Sequence, residues 1–273
     1  MRSDLEITIL GSGSSGGVPR LGGPDGAGNW GACDPANPKN RRTRCSILVR
    51  RRSATGITNV LVDTAPDMRE QLLRAHICDL DGVLITHDHA DQLHGIDDLR
   101  QIVIHNRRRV DIYADARNGE GILSRFSYCF VQAEGSGYPP IANLHVISAP
   151  LEIGGAGGPV PVLPFTQQHG EIQSLGFRFG GVAYSSDVNA LDDAAFEALT
   201  GVECWIVDAL RYTPHPSHSH VAKTLEWIAQ VKPARAILTN LHVDLDYETL
   251  KRELPPNVEP AYDGMTVTVA LGA

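Results

Sequence analysis

His87, His89 and Asp91 stand at every second position in the stretch D-G-V-L-I-T-H-D-H-A-D-Q-L-H-G-I-D-D-L-R, residues 81–100. Two imidazoles one residue apart on extended backbone point the same way and can grip one cation. The carboxylate two positions later reaches a neighbouring place, where an oxygen ligand suits a second divalent ion. A polar surface turn is the bland alternative. It fits poorly, because so dense a set of imidazoles and carboxylates beside a buried strand needs partners in any case.

The elements that must position this set can be read from the flanks. Val83, Leu84 and Ile85 form a short apolar run, the mark of a strand buried on both faces. Leu93, Ile96, Leu99, Ile102 and Val103 then recur with helical spacing. The motif is therefore predicted on a tight loop between a buried strand and an amphipathic helix.

Three further polar residues stand out by placement. His169 follows V-L-P-F in a short polar stretch, Asp187 follows V-A-Y-S-S, and His242 follows A-I-L-T-N-L. Each is expected just past a strand end, where the loops of an open sheet carry function. Singly, each reads as a surface or capping residue; together with the first motif they complete a pair of sites. Asp63, ending another strand, is either a helix cap or a group that orients a metal-binding histidine.

Strands are predicted at 5–10, 45–49, 59–62, 110–114, 160–164, 175–179, 182–185, 205–207, 236–238 and 266–270. Helices are predicted at 66–75 and 221–231, and 118–140 reads as helix followed by a Gly/Pro-rich loop. Strand-rich runs interleaved with helices, in two comparable halves, imply an α/β (α+β) chain of two packed sheets with helices outside. All 273 residues read as one domain.

The stretch G-S-G-S-S-G-G at 11–17 matches a dinucleotide-binding pattern, which also needs a helix to open at once. Val18-Pro19-Arg20 and more Gly and Pro follow instead, so it reads as a tight loop lying close to another part of the molecule, the active site being one candidate. Residues 20–44 form a long loop ending in Lys39, Arg41, Arg42 and Arg44, read as a solvated face in preference to a phosphate-binding group.

A net charge of −8 argues against a general grip on nucleic acid or anionic membrane, though not against a small phosphorylated substrate in a local basic pocket. Five scattered cysteines with no C-x-x-C pair suit a reducing compartment. No stretch has the length of a signal peptide's apolar region or a membrane span, so the cytoplasm is the expected location.

The chain resembles the metallo-β-lactamase superfamily, in which T-H-x-H-x-D-H is followed by a distant His, Asp and His. The matching residues are T-H-D-H-A-D at 86–91, then His169, Asp187 and His242. L-V-D-T-A-P-D-M-R-E-Q-L-L, H-G-I-D-D-L-R, V-D-A-L-R and A-Y-D-G-M are similar to the branch containing the phosphoribosyl cyclic phosphate phosphodiesterase of bacterial phosphonate degradation. The resemblance implies a four-layer αββα sandwich with two divalent ions, zinc or manganese, at one edge. It implies His87, His89 and His169 on the first ion, Asp91 and His242 on the second, and Asp187 between them. No organic cofactor is implied.

Two departures are informative. Gln92 stands where the superfamily usually has a histidine, and a glutamine carbonyl is a poorer zinc ligand, so a second site that is weaker, more manganese-like or filled only with substrate is expected. Some branch members carry an early cysteine-rich zinc loop; here N-W-G-A-C-D-P offers Cys33 alone, and no structural zinc is expected.

In R-Y-T-P-H-P-S-H-S-H, His218 matches the place where the phosphodiesterase branch puts a histidine near its substrate, with His220 the second choice. His94 reads as structural. The function implied is a phosphodiesterase acting on a small cyclic phosphate or nucleotide-like ester through a metal-bound hydroxide. Its catalytic residues would be His218, Asp187 and Asp91. The expected partner is a ribose phosphate or nucleotide-like substrate, and a second copy of the chain is a candidate. Rival readings are a thioester or lactone hydrolase of glyoxalase II type, and a non-catalytic nucleotide or metal sensor. A tRNA-processing endonuclease is disfavoured by the acidic balance and the lack of a basic arm.

Overall fold

Apolar side chains alternate along the strands so that each strand feeds two cores. A computed structural model of the chain describes residues 4–271. Its first strands are β1 (Asp4–Gly11), β2 (Ser46–Ser53), β3 (Gly56–Val62), β4 (Gly82–Leu84), β5 (Val110–Ala114), β6 (Ala142–Val146) and β7 (Leu151–Ile153). They are followed by β8 (Val160–His169), β9 (Ile172–Phe179), β10 (Val182–Ser185), β11 (Cys204–Asp208), β12 (Arg235–Thr239), β13 (Val258–Pro260) and β14 (Thr266–Ala270). The helices are α1 (Met68–Arg74), α2 (Ala90–Leu93), α3 (Leu99–Asn106), α4 (Ala116–Phe130), α5 (Asp193–Leu199), α6 (Val221–Val231) and α7 (Tyr247–Glu253).

The strands form two seven-stranded sheets, β14-β1-β2-β3-β4-β5-β6 and β13-β12-β11-β10-β9-β8-β7. In the first, β3 to β6 run parallel; in the second, β10 to β13 do. Ile7, Ile47, Val49, Val60 and Val62 of one sheet meet Val162, Phe177, Tyr184, Ile206 and Ile237 of the other in a central core. The residues between them face outward. Leu48, Leu61 and Val83 pack under α1, α3 and α4 with Leu72, Leu99 and Ile122. Ala183, Trp205, Val207 and Leu238 pack under α5, α6 and α7 with Leu199, Ile228 and Leu250. The result is the expected αββα order, set by a two-residue period.

Several elements differ from their sequence-based expectation. The amphipathic helix after the first motif is broken into α2, a 3-10 turn at Ile96–Asp98, and α3. The break falls at Gly95, whose N–H donates to Thr64 O and where a Cβ would lie 2.1 Å from Ala65 O. Only glycine lets the chain pass that close to the 64–65 backbone. β8 runs further than predicted, so His169 is its last residue instead of part of a following loop. β6, β7, β13, α5 and α7 carried too few periodic residues to be read. Among the described residues, no helix is long and apolar enough to cross a membrane.

The basic group at 39–44 is not a solvated face. Arg42 is 2% exposed and donates to Leu245 O (2.8 Å), His242 O (3.3 Å) and Asn40 Oδ1 (3.2 Å). Arg44 bonds Asp67, Lys39 sits over the rings of Tyr247 and Tyr262, and Arg41 alone is exposed. A buried loop needs donors for its carbonyls, and a guanidinium supplies five. Arg42 thus fastens the early loop to the segment that carries His242.

Candidate metal centre

Strand ends from both sheets converge at one edge of the sandwich. β4 leads into His87, His89 and Asp91; β8 ends on His169; β10 leads to Asp187, β11 to Asp208, and β12 to Asn240 and His242. Asp63, Asp187 and Asn240 all adopt positive φ (65°, 47° and 63°). Left-handed backbone at three strand ends is strain concentrated where side chains must be aimed inward.

The rings of His87, His89 and His169 meet edge-on, with centroids 4.6, 5.0 and 5.1 Å apart. His89 Nδ1 and His169 Nε2 face each other at 3.3 Å. Two ligands held about 2.0–2.1 Å from a tetrahedral ion would be about 3.3–3.4 Å apart, so the spacing suits one ion between them. His87 Nε2 is buried without any hydrogen-bond partner. An orphaned ring nitrogen facing two others is what a metal would satisfy, and the donor set therefore fits a divalent ion.

The other ring nitrogens explain which lone pairs are free. The Asp63 carboxylate accepts from Thr86 N (2.8 Å) and Thr86 Oγ1 (2.9 Å). Thr86 Oγ1 then lies 3.0 Å from His87 Nδ1, whose N–H donates to it and leaves Nε2 bare. So Asp63 does orient a histidine, one residue removed, and it caps no helix; α1 is preceded by Asp67. His169 Nδ1–H donates to Ser217 O at 2.7 Å, leaving its Nε2 bare as well. Burial pushes the His87 imidazole down to about 3 and lowers His89 and His169 too, so all three are neutral near pH 7.

Asp187 is 2% exposed and belongs to a second cluster with His169 and His218, whose ligand atoms lie within 4.8 Å of one another. Gln92 Nε2 donates to Asp187 Oδ2 at 2.9 Å, and Gln92 Oε1 is buried without a partner. The reverse amide orientation would set oxygen against carboxylate, so the N–H must face Asp187. Gln92 therefore presents a donor, not a carbonyl, towards that group.

Asp91 and His242 lie outside both tight clusters. Burial and the charge of Asp187 push the Asp91 carboxyl up to about 6, which marks the two carboxylates as neighbours. His242 Nδ1 is held by Asp244, with the carboxylate at 2.9 Å and the backbone N–H at 3.2 Å. Its own N–H donates to Leu210 O.

His218 stands beside this group, its ring centroid 4.7 Å from that of His169 and its Nε2 3.9 Å from Asp187 Oδ1. Its Nδ1–H donates to Asp208 Oδ2 at 2.8 Å. Burial alone would lower His218, but Asp208, Asp187 and Asp91 outweigh it and push it up to about 9. Burial, with Asp187 adding, raises Asp208 to about 6, so the pair is cation and anion at neutral pH. Asp208 is a site residue that the spacing argument did not single out, although V-D-A-L-R places it at a strand end. His220 caps α6 without a side-chain bond, and His94 packs edge-on against Phe126 away from the cluster.

Residues 58–240 match the family model described as the beta-lactamase superfamily domain. A crystal structure described as a new diphosphatase from the PhnP family is 32% identical, covers 99% of each chain and superposes with a TM-score of 0.87. The metallo-beta-lactamase fold protein YhfI from Bacillus subtilis is 15% identical over 97% of this chain and all of its own, with a TM-score of 0.71. An octanoyltransferase of Porphyromonas gingivalis is 31% identical over 97% of this chain. The chain spans about half (52%) of that curated relative's length. By its family match, its αββα layers and its full-length likeness to a PhnP-family structure, the chain belongs to the beta-lactamase superfamily, on the branch of that neighbour.

Proposed function

We propose that this chain, over its whole length as one domain, is a metal-dependent phosphodiesterase for a small cyclic phosphate or nucleotide-like ester. The observation that carries the reading is the placement of His218, its Nδ1 2.8 Å from Asp208 and its Nε2 3.9 Å from Asp187, beside the cluster of His87, His89 and His169. His87, His89 and His169 would hold one divalent ion, Asp91 and His242 a second, zinc or manganese, with Asp187 shared. When bound, such ions supply Lewis acidity and lower the pKa of water.

The chain's own groups supply the proton transfers. Asp91 accepts the proton of the attacking water. His218 Nε2–H donates to the departing oxygen as its bond to phosphorus breaks, so that water is added across one P–O bond. Asp208 keeps the imidazolium aimed through Nδ1. Five cysteines without disulfides suit a cytoplasmic enzyme.

The rival is attack on an acyl carbonyl, suggested by the octanoyltransferase name of the half-matched relative. A thiolate leaves readily without a proton, so that chemistry has no use for His218. The test is a panel of a ribose cyclic phosphate, bis(4-nitrophenyl) phosphate and an acyl thioester, with manganese or zinc added. His218→Ala is expected to lower turnover of the cyclic phosphate by about 10²–10⁴ with metal content retained, because a sugar alkoxide needs the proton. The nitrophenyl ester should lose much less. Equal loss on both would remove the acid role, and turnover of the thioester alone would overturn the reading.

A further inference from the structure

Of the three clustered imidazoles, two are aimed through their second ring nitrogen, His87 by Thr86 and His169 by Ser217 O. His89 is not. Among the described residues its ring nitrogens have one polar neighbour, His169 Nε2 at 3.3 Å, which belongs to the cluster itself. His89 is also exposed, and its side chain makes no cap to α2, which it precedes. A ligand that no outer partner holds depends on its backbone for its aim.

That backbone is fixed from α4. Asn118, 2% exposed, accepts on Oδ1 the N–H of Asp88, the residue between His87 and His89, at 3.2 Å. Asp115 decides which end of the amide faces Asp88. Its Oδ1 accepts from Asn118 N and its Oδ2 from Asn118 Nδ2, both at 2.7 Å. The reverse amide would set oxygen against carboxylate and NH2 against N–H, so Oδ1 must face Asp88. Asp115 is the N-cap of α4 and Asn118 its third residue. In a capping box the side chain at that position turns back to the N-cap N–H; here it reaches another segment instead.

The Asp88 side chain is held by the same helix. Its carboxylate accepts from Arg125, whose Nε–H donates to Gly121 O at 3.2 Å. A Cβ at Gly121 would lie 2.3 Å from Asp88 Oδ2. Glycine in a helix interior is destabilising, and at Gly121 it clears the seat that Asp88 occupies. α4 thus grips the H-D-H turn by main chain and side chain together.

We infer that Asn118, oriented by Asp115, is a positioning residue for His89: it fixes the turn so that His87 and His89 face one ion. The inference rests on the three-histidine site of the proposed function and extends that site to a helix of the outer layer.

The experiment titrates the full chain with cobalt(II), followed by its visible absorption and by competition with a chromophoric chelator. Asn118→Leu removes the acceptor. It should weaken cobalt binding by about 10- to 100-fold, change the visible bands and speed hydrogen exchange at the Asp88 amide. Asn118→Asp alone sets carboxylate against carboxylate and should weaken cobalt too. Asn118→Asp combined with Asp115→Asn exchanges the two groups, still caps α4 and still offers Asp88 an acceptor, so it should restore most of the affinity. Unchanged affinity in Asn118→Leu overturns the inference, as does an affinity that the exchange fails to restore. If Asn118→Leu does not fold, Asn118→Asp against the exchange decides in the same way. Wild type that takes up no cobalt overturns the metal site and the inference together. A protein that shows the Asn118 dependence but hydrolyses no phosphodiester loses the phosphodiesterase reading and keeps this one.

Discussion

At Gln92 a single side chain decides how Asp187 is shared. Its amide N–H occupies Asp187 Oδ2, so that oxygen is already engaged before any ion arrives. An imidazole in its place would offer a lone pair to an ion instead of a proton to a carboxylate. Gln92→His is therefore expected to tighten the second metal by about 10- to 100-fold, the scale on which ligand surroundings tune such sites. Competition against a chromophoric chelator measures it, and unchanged affinity at both sites would show that Gln92 has no part in the second one. His87, His89, His169 and Asp187, which the structure brings together, were legible because their spacing and their places at or past strand ends point them to one edge; Asp91 and His242 lie outside both clusters. Asp208 and Arg42 were not legible, since each acts on another residue: one holds a ring nitrogen, the other a backbone carbonyl. Neither role leaves a period or a spacing to read.

At the scale of elements, β1, β5, β10, β14 and α6 were read with their bounds nearly right, because burial on alternate positions or one helix face is periodic. By contrast, β2, β3, β8 and β9 run about three to five residues beyond the apolar stretch that revealed them. The elements that were missed are short ones whose existence depends on a partner already in place. α7 is an example. It is seven residues long and is capped by Asp246, whose carboxylate accepts from Thr249 N at 3.0 Å. The same carboxylate accepts from Asn40 Nδ2 and Asp34 N, joining the helix to the early loop. Burial opposes the charge, but these hydrogen bonds outweigh it and hold the carboxyl down to about 2. A folded-state pKa below the unfolded value of about 3.9 means stability that is present above pH 4 and lost as pH falls towards 2. Asp246→Ala should cost about 1–2 kcal/mol at pH 7, from the cap and its loop bonds. The difference in melting temperature between wild type and variant should shrink steadily between pH 4 and pH 2. A difference that holds constant to pH 2 would mean the loss comes from packing and not from the carboxylate.

On the scale of the whole molecule, the metal edge is where the two sheets are tied. His87, His89 and Asp91 come from the first sheet; His169, Asp187, His218 and His242 come from the second. Two direct bridges lie nearby, Leu175 N–H to Thr86 O and the pairing of Gly13 with Leu241. The edge sets buried Asp187 near half-buried Asp91, two carboxylates that repel; burial and that repulsion push Asp91 up to about 6, and His87 Nε2 is left with no partner. Ions bound there would relieve the repulsion and join one sheet to the other. A ligand at a hundred times its dissociation constant stabilises by about 2.7 kcal/mol. In a chain of this size that corresponds to about 5–10 °C, at about 2–4 °C per kcal/mol. Chelation should therefore lower the melting temperature by that amount, and calorimetry should show one cooperative transition moving as a unit. Two transitions, of which only one responds to metal, would mean that the sheets unfold separately and that the ions belong to one of them. His169→Ala offers the sharper form of the test, because it removes the second sheet's contribution to the first ion. It should abolish most of the metal-dependent shift while leaving the central core of Ile7, Val60, Phe177 and Ile206 intact.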